Sequence, residues 1–402
     1  MCAEAAGTSP ARPVIRLLRG HDHRLRRGHP WVYANEIAMH PELRALPPGA
    51  PVRLEGHDGR PFGTFAFNAH SLIAARRLDA DPDAAIDAAW IGRRLAAAAA
   101  LRARLGLGRW HRLVHAEADG LPGLVIDRFD DVAVLQANTA WADRMQEAVA
   151  DALRALLPLR ALVARNDSPV RAHEGLGSAA TLLFGENAEA VVQEGSLRFP
   201  VDLLAGQKTG WFFDQRPNRE RVASLAAGAH VLDVFCHLGG FGLHAAAAGA
   251  QAVTLVDASA PALKQALAAA AANGLGEKVG IREGDAFARM EEARAAGERY
   301  DIVICDPPAF ARSRKDQAAG LRAYAKMTRL AAPLVAPGGF LFVASCSHHA
   351  PTEAFAAAVA EGLWKAGRSG RILFTGGAGP DHPVHPELPE SAYLKAELLQ
   401  LD

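Results

Sequence analysis

Apolar runs alternate with helical stretches along the second half of this chain, from about residue 216 onward. The apolar runs lie at 231–235, 253–256, 279–282, 302–305 and 339–344, and the helical stretches lie at 242–248, 260–273, 287–296 and 317–334. This alternation is typical of parallel strands joined by crossover helices. It predicts a doubly wound α/β sheet, which binds its ligands at the carboxyl ends of its strands.

The first half predicts two smaller units and a tail. Residues 1–12 are expected to form a disordered tail. Short strands at 14–18, 51–55 and 64–67, with Asp58-Gly59 as a hairpin turn, predict a small β domain over 13–80, followed by a linker at 79–87. Residues 81–204 predict an α+β domain with helices at 88–105 and 142–156 and strands at 113–117, 124–127, 132–137, 161–164, 190–194 and 196–202. Residues 205–402 then form the α/β domain.

Composition excludes several classes of protein. The 44 Lys and Arg residues balance 44 Asp and Glu residues, so overall charge does not indicate a nucleic-acid partner. The four cysteines are spread singly, which argues against a disulfide framework and a zinc knuckle and favours a cytoplasmic protein. The sequence has no apolar run of about 20 residues, which argues against a membrane span. No metal is expected, because the spacing of His348, His349, His382 and His385 matches no zinc pattern.

The segment from Val231 to Phe241 predicts a strand, a glycine turn and a helix. Gly239 and Gly240 let the backbone approach a ligand closely at the helix N-terminus. The segment lacks the first glycine of the dinucleotide-binding fingerprint. This argues against a dinucleotide pyrophosphate at the turn.

Three aspartates end successive predicted strands: Asp233, Asp257 and Asp285. Asp257 can accept hydrogen bonds from both hydroxyls of a ribose, and Asp285 can accept one from an adenine amino group. Because no Lys or Arg stands ready for phosphates, this set favours S-adenosylmethionine over NAD as the cofactor. The alternative interpretation is that Asp257 and Asp285 only cap strand ends.

Two further motifs follow later strands and indicate chemistry on a nucleic-acid base. The two prolines of Asp306-Pro-Pro fix a rigid turn that holds the Asp306 carboxylate at the sheet edge, where it can bind the Watson–Crick edge of a flipped base. Cys346 lies in Ser-Cys-Ser after the next strand. A thiolate that attacks carbon 6 of a pyrimidine makes carbon 5 nucleophilic, so this thiol favours methyl transfer to that carbon. A plain strand exit and a buried structural thiol are the alternatives, and the second is the expected role of Cys236 and Cys305.

Basic residues cluster near the start of the β domain. Six arginines lie between residues 12 and 27, and Trp31 and Tyr33 follow them. Arginines with aromatic side chains form a suitable RNA contact set. The candidate RNA-binding residues are Arg19, Arg24, Arg26, Arg27 and Trp31. A solvated arginine-rich surface is the alternative.

Together these motifs resemble the bacterial 23S rRNA 5-methylcytosine methyltransferases that carry an N-terminal PUA domain. The resemblance covers almost the whole chain and is carried by Arg19–Tyr33, His115–Arg128, Gln207–Arg216, Asp233–Phe241, Asp306–Phe310, Ser345–Ser347, Asp381-His-Pro and Tyr393–Lys395. It implies a class I methyltransferase fold, S-adenosylmethionine as the methyl donor and ribosomal RNA as the partner.

The resemblance also implies roles for individual residues. Cys346 is the implied nucleophile, and Asp306 is the implied base-binding carboxylate. The implied cofactor-binding residues are Phe213, Asp214, Gln215, Arg216, Asp233, Phe235, His237, Gly239, Gly240, Asp257, Ala258, Ser259, Asp285, Ala286 and Asp306. We expect no membrane partner, and we keep a homodimer as a further prediction.

Two alternatives to a cytosine-5 methyltransferase stay open from the residues alone. Asp-Pro-Pro also suits methylation of an exocyclic base nitrogen, which needs no thiol. A non-catalytic RNA-binding assembly factor is the second alternative, against which the intact Asp233, Gly239, Gly240, Asp257 and Asp306 argue. The nucleotide that is methylated and the base that abstracts the proton are not encoded in these motifs.

Overall fold

The computed structural model describes residues 12–204 and 209–402. The rest of the predicted tail lies outside these residues, as do Gln207 and Lys208 of the motif quoted above. Arg12, which we placed in the tail, is anchored instead. Its guanidinium donates to the Thr64 hydroxyl at 2.5 Å and to the carbonyls of Pro82 and Ala84.

The chain divides into two compact units. The first holds residues up to 188 together with 202–210 and 383–389, and the second holds 189–201, 211–382 and 390–402. The strand pair near residue 190 therefore groups with the second unit, whereas the sequence assigned it to the central domain. The physical reason is a buried ion pair from Glu194 to Arg219, described below. The division into three domains stays a prediction.

A five-stranded sheet opens the first unit. Its strands are β1 Val14–Arg16, β2 Trp31–Val32, β3 Ala50–Glu55, β4 Pro61–Phe67 and β5 Ala75–Asp79, with helices α1 His23–Arg26 and α2 Pro41–Arg44. The strand order is β1-β3-β4-β5-β2. Ile15, Val52, Phe65 and Phe67 are buried in its core. This is the small β domain that the sequence predicts.

A second five-stranded sheet follows in the same unit. The elements are α3 Ala88–Arg104, β6 Trp110–His115, β7 Leu124–Phe129, β8 Val132–Ala137, α4 Ala140–Arg144, α5 Gln146–Leu156, β9 Ala161–Asn166 and β10 Ala179–Phe184. The sheet order is β10-β9-β8-β7-β6. The helix predicted at 142–156 is in fact two helices, because Met145 leaves the helical conformation at ψ 3°. The strand predicted at 113–117 ends at His115, where a 3-10 helix begins.

The second unit contains a hairpin and a large sheet. Its strands are β11 Glu189–Glu194, β12 Leu197–Asp202, β13 His230–Val234, β14 Ala252–Asp257, β15 Val279–Glu283, β16 Tyr300–Cys305, β17 Val335–Ser345, β18 Gly370–Gly376 and β19 Lys395–Leu401. Its helices are α6 Arg216–Ala223, α7 Gly240–Ala247, α8 Ala260–Ala272, α9 Ala286–Ala295, α10 Gln317–Ala331 and α11 Thr352–Lys365. Among the residues described here, no helix is long and apolar enough to cross a membrane.

The seven-stranded sheet has the order β15-β14-β13-β16-β17-β19-β18. The strands from β15 to β17 pair in parallel, which confirms the predicted doubly wound sheet. Strand β19 runs antiparallel between β17 and β18, and the sequence analysis missed both of these last strands. The strand order reverses between β13 and β16. Open α/β sheets bind their ligands at such a switch point, at the carboxyl ends of the strands.

Candidate active site at the carboxyl edge of the large sheet

The turn after β13 is held in a strained conformation. Phe235, His237 and Gly239 have positive φ angles of 65°, 51° and 74°. The left-handed region costs a residue with a β-carbon about 1 kcal/mol or more, so Phe235 and His237 store strain in this turn. The Cys236 N–H donates to the Val256 carbonyl at 3.1 Å and holds the turn to β14. Strained residues of this kind are concentrated at ligand-binding sites. The turn from Phe235 to Gly239, named the cofactor turn here, has the strain expected of such a site.

Asp233 lies beneath this turn and is only 1% exposed. Its Oδ2 accepts a hydrogen bond from the Gly242 N–H at 2.8 Å, whereas its Oδ1 has no partner among the described residues. Burial raises the pKa of Asp233 to about 8, and the nearby carboxylates of Asp306 and Asp257 add to the shift. A buried carboxylate oxygen without a partner suits a cationic ligand group.

The two other strand-end aspartates differ in role. Asp257 accepts hydrogen bonds from the N–H groups of His237 at 2.9 Å and Ser259 at 2.8 Å, so its carboxylate is fixed beside the turn. Asp285 is exposed and caps α9 by accepting from the Ala288 N–H at 2.9 Å. Asp285 thus caps a helix, and its contact with an adenine stays a prediction.

The segment 213–216 contacts Asp306 and Tyr393. Buried Asp214 accepts from the Tyr393 hydroxyl at 2.5 Å through Oδ2, and its Oδ1 has no partner among the described residues. The Gln215 side chain donates to Asp306 Oδ1 at 2.8 Å. Asn218, which the sequence analysis missed, donates in turn to Gln215 Oε1 at 2.6 Å. This chain of contacts joins the segment to the Asp-Pro-Pro turn.

Three phenylalanines stand near the cofactor turn. The ring of Phe235 lies 6.2 Å from those of Phe287 and Phe310, which are 6.0 Å apart from each other. Phe287 follows Ala286 at the start of α9. Aromatic faces of this kind can stack on an adenine or another base. The sequence analysis assigned no role to Phe287 or Phe310. Phe287 directly follows Asp285 and Ala286, and Phe310 ends the Asp306–Phe310 motif.

The cysteines of the described residues fall into two classes. Cys236 and Cys305 are buried, and burial with the neighbouring carboxylates raises the pKa of both thiols. Both therefore stay protonated, which fits the structural role predicted for them. Cys346 is partly exposed and follows the end of β17. Among the described cysteines, Cys346 alone is partly exposed, and it lies at the carboxyl edge of the sheet.

A buried hydroxyl network joins the Cys346 loop to the Asp-Pro-Pro turn. The Tyr324 hydroxyl lies 2.8 Å from the hydroxyls of both Ser345 and Ser347. The Ser347 hydroxyl accepts from the Ala311 N–H at 3.1 Å, and the Tyr324 hydroxyl accepts from the Phe310 N–H at 3.5 Å. The two serines that flank the thiol therefore fix its loop against the turn that carries Asp306.

A second buried cluster supports the cofactor turn from behind. Glu194, at the end of β11, accepts two hydrogen bonds of 2.7 Å from Arg219 and one of 2.9 Å from the Trp211 indole. His244 of α7 lies 3.4 Å from the same carboxylate, and its other ring nitrogen lies 2.6 Å from the Gly240 carbonyl. Burial acts to raise the pKa of Glu194, but the Arg219 charge lowers it overall. Glu194 is thus a buried anion that ties the hairpin to the turn.

The predicted RNA-binding arginines are largely in ion pairs. Arg24 pairs with Glu36 at 2.6 Å, Arg26 with Asp22 at 2.5 Å and Arg27 with Glu387 at 3.5 Å. The Trp31 indole donates to Glu117 at 2.7 Å. Arg19 is exposed and has no ion-pair partner in the part of the chain that the structure describes. Exposed ion pairs of this kind contribute little to stability, and RNA binding by this cluster stays a prediction.

Within the described residues, no group of three His, Cys, Asp or Glu side chains could hold a metal ion. Two of the four histidines considered above make other contacts. The His348 ring lies 5.3 Å from the Tyr393 ring, and His382 Nδ1 lies 3.0 Å from the Asp381 carboxylate.

Comparison with known proteins agrees with this geometry. Residues 15–80 match the family model of the PUA-like domain, and residues 144–361 match that of the S-adenosylmethionine-dependent methyltransferases. Ribosomal RNA large subunit methyltransferase I of Shewanella denitrificans is 36% identical over 389 residues, which are 95% of this chain and 97% of that protein. The chain belongs to this methyltransferase family.

Further members of the ribosomal RNA large subunit methyltransferase I family match equally well. The Photobacterium profundum protein is 36% identical over 390 residues, again covering 95% of this chain and 97% of its own length. The use of S-adenosylmethionine and the PUA-like domain, both expected from the sequence, are thereby confirmed.

Solved structures show the same fold. A Streptococcus mutans protein assigned as a SAM-dependent methyltransferase matches with a TM-score of 0.81 at 20% identity, over 96% of this chain and 100% of that one. A structure of a protein assigned as a methyltransferase and complexed with SAH matches with a TM-score of 0.82 at 20% identity and the same coverage. These likenesses agree with the predicted class I methyltransferase fold.

Proposed function

We propose that this chain transfers a methyl group to carbon 5 of a cytosine in large-subunit ribosomal RNA, through a covalent adduct with Cys346. The observation that carries the proposal is the placement of Cys346 and Asp306. Each directly follows one of the neighbouring strands β17 and β16, and one buried hydroxyl network fixes both loops. A thiol and a carboxylate on adjacent loops of one sheet edge are what this chemistry needs.

Each residue has a defined part in the reaction. The Cys346 thiolate forms a bond to carbon 6 of the cytosine, and the electron pair of the 5,6 double bond moves into the ring toward nitrogen 3. The Asp306 carboxyl group, aligned by Gln215, binds the base edge and assists protonation there. Carbon 5 is then nucleophilic and takes the methyl group. A base then takes the proton from carbon 5, the C–H electron pair re-forms the 5,6 double bond, and the thiolate leaves carbon 6. Nitrogen 3 returns its proton to Asp306, which restores the neutral aromatic ring.

Bound S-adenosylmethionine supplies the electrophilic methyl group. The unpartnered buried oxygens of Asp233 and Asp214 suit the ammonium group of its methionine part. In this proposal Asp257, fixed beside the turn, accepts from the ribose hydroxyls, and Asp285 and the three phenylalanines bind the adenine. The backbone from Phe235 to Gly240, with Ala258, Ser259 and Ala286, completes the proposed cofactor site.

The substrate class is inferred from the relatives. Their printed name is ribosomal RNA large subunit methyltransferase, and they align along almost the whole chain. We propose that the PUA-like domain contributes Arg19, Arg24, Arg26 and Arg27 to RNA binding, with action in the cytoplasm. Trp31 contributes through its ring, since its indole N–H is already bonded to Glu117.

The test compares wild type with Cys346→Ala, using labelled S-adenosylmethionine and large-subunit rRNA from a strain that lacks the enzyme. We expect the variant to lose more than about 10³-fold in methyl transfer while it still binds the cofactor in calorimetry. Cys305→Ala is the matched control, because this thiol is buried and remote from solvent, and it should retain transfer.

Two outcomes would replace the proposal by its alternatives. Near wild-type transfer by Cys346→Ala would favour methylation of an exocyclic base nitrogen. Failure of the wild-type protein to bind S-adenosylmethionine would favour a non-catalytic RNA-binding factor.

A further inference from the structure

Lys395 lies next to the loop that carries Cys346, although the two residues are 49 positions apart in the sequence. It is the first residue of β19, and antiparallel pairing places it directly opposite Ser345 on β17. Its ammonium group donates to the Ser347 carbonyl at 2.7 Å. The residues on both sides of the thiol therefore hold the lysine, one through strand pairing and the other through a hydrogen bond.

Lys395 is buried without an ion-pair partner. The residue is only 7% exposed, and no described carboxylate lies within ion-pair distance of its nitrogen. A buried ammonium is costly unless an anion accompanies it. Burial lowers the pKa of Lys395 to about 8, and the Cys346 charge acts in the opposite direction. The Cys346 loop, which the lysine contacts through the Ser347 carbonyl, is therefore the neighbouring segment that can supply an anion to this ammonium.

The other titratable groups around the loop do not supply a competing cation. Tyr324 approaches from α10, and burial raises the pKa of its hydroxyl, which stays neutral. His348, two residues after the thiol, is exposed and contacts Tyr393. Glu397 is the next residue on the same face of β19, and burial raises its pKa. Asp306 follows the neighbouring strand β16, and a carboxyl group supplies no cation.

We propose that Lys395 is a positioning residue that holds Cys346 as a thiolate in the resting enzyme, an inference that rests on the function proposed above. The S–H bond breaks, its proton goes to solvent, and Lys395 remains an ammonium throughout. The thiolate later bonds to carbon 6 of the base. When elimination expels it, the same ion pair reforms and the enzyme is ready for another turnover.

The direct test is the acidity of the Cys346 thiol in the full-length protein without RNA or cofactor. The rate of alkylation by iodoacetamide is measured against pH, with the Cys346 peptide resolved by mass spectrometry. A nearby opposite charge typically moves a pKa by about 1–3 units. We therefore expect Lys395→Met to raise the thiol pKa by about 1 unit or more and to slow alkylation at neutral pH about tenfold.

Three variants separate charge from packing. Lys395→Arg keeps the positive charge and should keep a thiol pKa close to that of wild type. Lys395→Gln removes the charge with a polar side chain, so it repeats the test if the Met variant does not fold. Lys365→Met is the matched control, because Lys365 is an exposed lysine of α11 paired with Glu361, and it should leave alkylation of Cys346 unchanged.

An unchanged pH profile of Cys346 alkylation in Lys395→Met and Lys395→Gln would overturn the inference, and so would an Arg variant that behaves like the Met variant. This result is separable from the proposed function. Loss of methyl transfer in Cys346→Ala with an unchanged thiol pKa in the lysine variants would refute only the role of Lys395. Retained transfer in Cys346→Ala would refute the proposed function, whatever the thiol pKa.

Discussion

Removing the Glu194 carboxylate should destabilise the second unit and weaken cofactor binding together. Glu194 and Arg219 are each only 3% exposed, and they form two hydrogen bonds of 2.7 Å. Glu194→Ala leaves the Arg219 guanidinium buried without this anion, which typically costs about 3–5 kcal/mol. The Trp211 indole also loses its acceptor, which costs about 1–3 kcal/mol when no water replaces it. Part of this second cost overlaps the first, so we expect a total of about 4 kcal/mol.

The loss should extend to the cofactor turn because the His244 ring lies between them, with one nitrogen 3.4 Å from the carboxylate and the other 2.6 Å from the Gly240 carbonyl. Urea unfolding followed by tryptophan fluorescence measures the stability, since Trp211 reports directly on the cluster. Calorimetry then measures the dissociation constant of S-adenosylmethionine, which should rise. Glu220→Gln is the matched control, because Glu220 is an exposed acid on the same helix as Arg219, and it should change neither quantity.

A double variant tests the reasoning about the unpaired charge. Glu194→Met with Arg219→Met removes both charges, so it should be less destabilised than the sum of the two single variants. If Glu194→Ala lowered the free energy of unfolding by less than about 1 kcal/mol, Glu194 and Arg219 would not be a buried pair in which each charge depends on the other. Additivity in the double variant would refute it as well.

Two further predictions concern pH and salt. Burial raises the pKa of Asp233 to about 8. Between the ordinary pKa of an aspartate and pH 8, the folded protein therefore holds a proton on Asp233 that the unfolded chain has released. Because of this difference, the stability of the protein without cofactor falls as the pH rises toward 8. Urea unfolding at pH 6 and pH 8 measures this, and the free energy of unfolding of wild type should fall by about 2 kcal/mol more than that of Asp233→Asn. A difference between the two proteins that stays the same at both pH values would contradict the prediction. Arg19→Ala should weaken binding to rRNA and reduce the slope of log affinity against log salt by about 0.7–0.9, as expected for one phosphate contact. The exposed Arg104→Ala serves as its control, and an unchanged slope in Arg19→Ala would remove this arginine from the RNA interface.

The sequence predicted those features that local patterns encode. One apolar run contains Asp233 near its end, and two others lead into Asp257 and Asp306. These runs placed the three carboxylates near one edge of a parallel sheet, because carboxyl ends of parallel strands meet there. The turn at Gly239 was predicted because glycine readily adopts the left-handed backbone conformation that such a turn requires. The helix predicted over 142–156 was wrong at Met145, since composition does not reveal a local break between two helices.

The missed features depend on contacts between distant parts of the chain. Lys395 contacts the Cys346 loop because β19 inserts between β17 and β18, and register in a sheet of this kind is set by tertiary packing. Glu194 lies 25 residues before Arg219, and each alone resembles an ordinary surface charge in the sequence. Only the fold shows that both are buried.

The most direct test of the account is mass-spectrometric mapping of methylated nucleotides in large-subunit rRNA from a deletion strain. We predict that one 5-methylcytidine is lost, that the wild-type gene restores it and that the Cys346→Ala gene does not. Restoration by Cys346→Ala, or loss of a methyl group from an exocyclic nitrogen instead of carbon 5, would contradict the account.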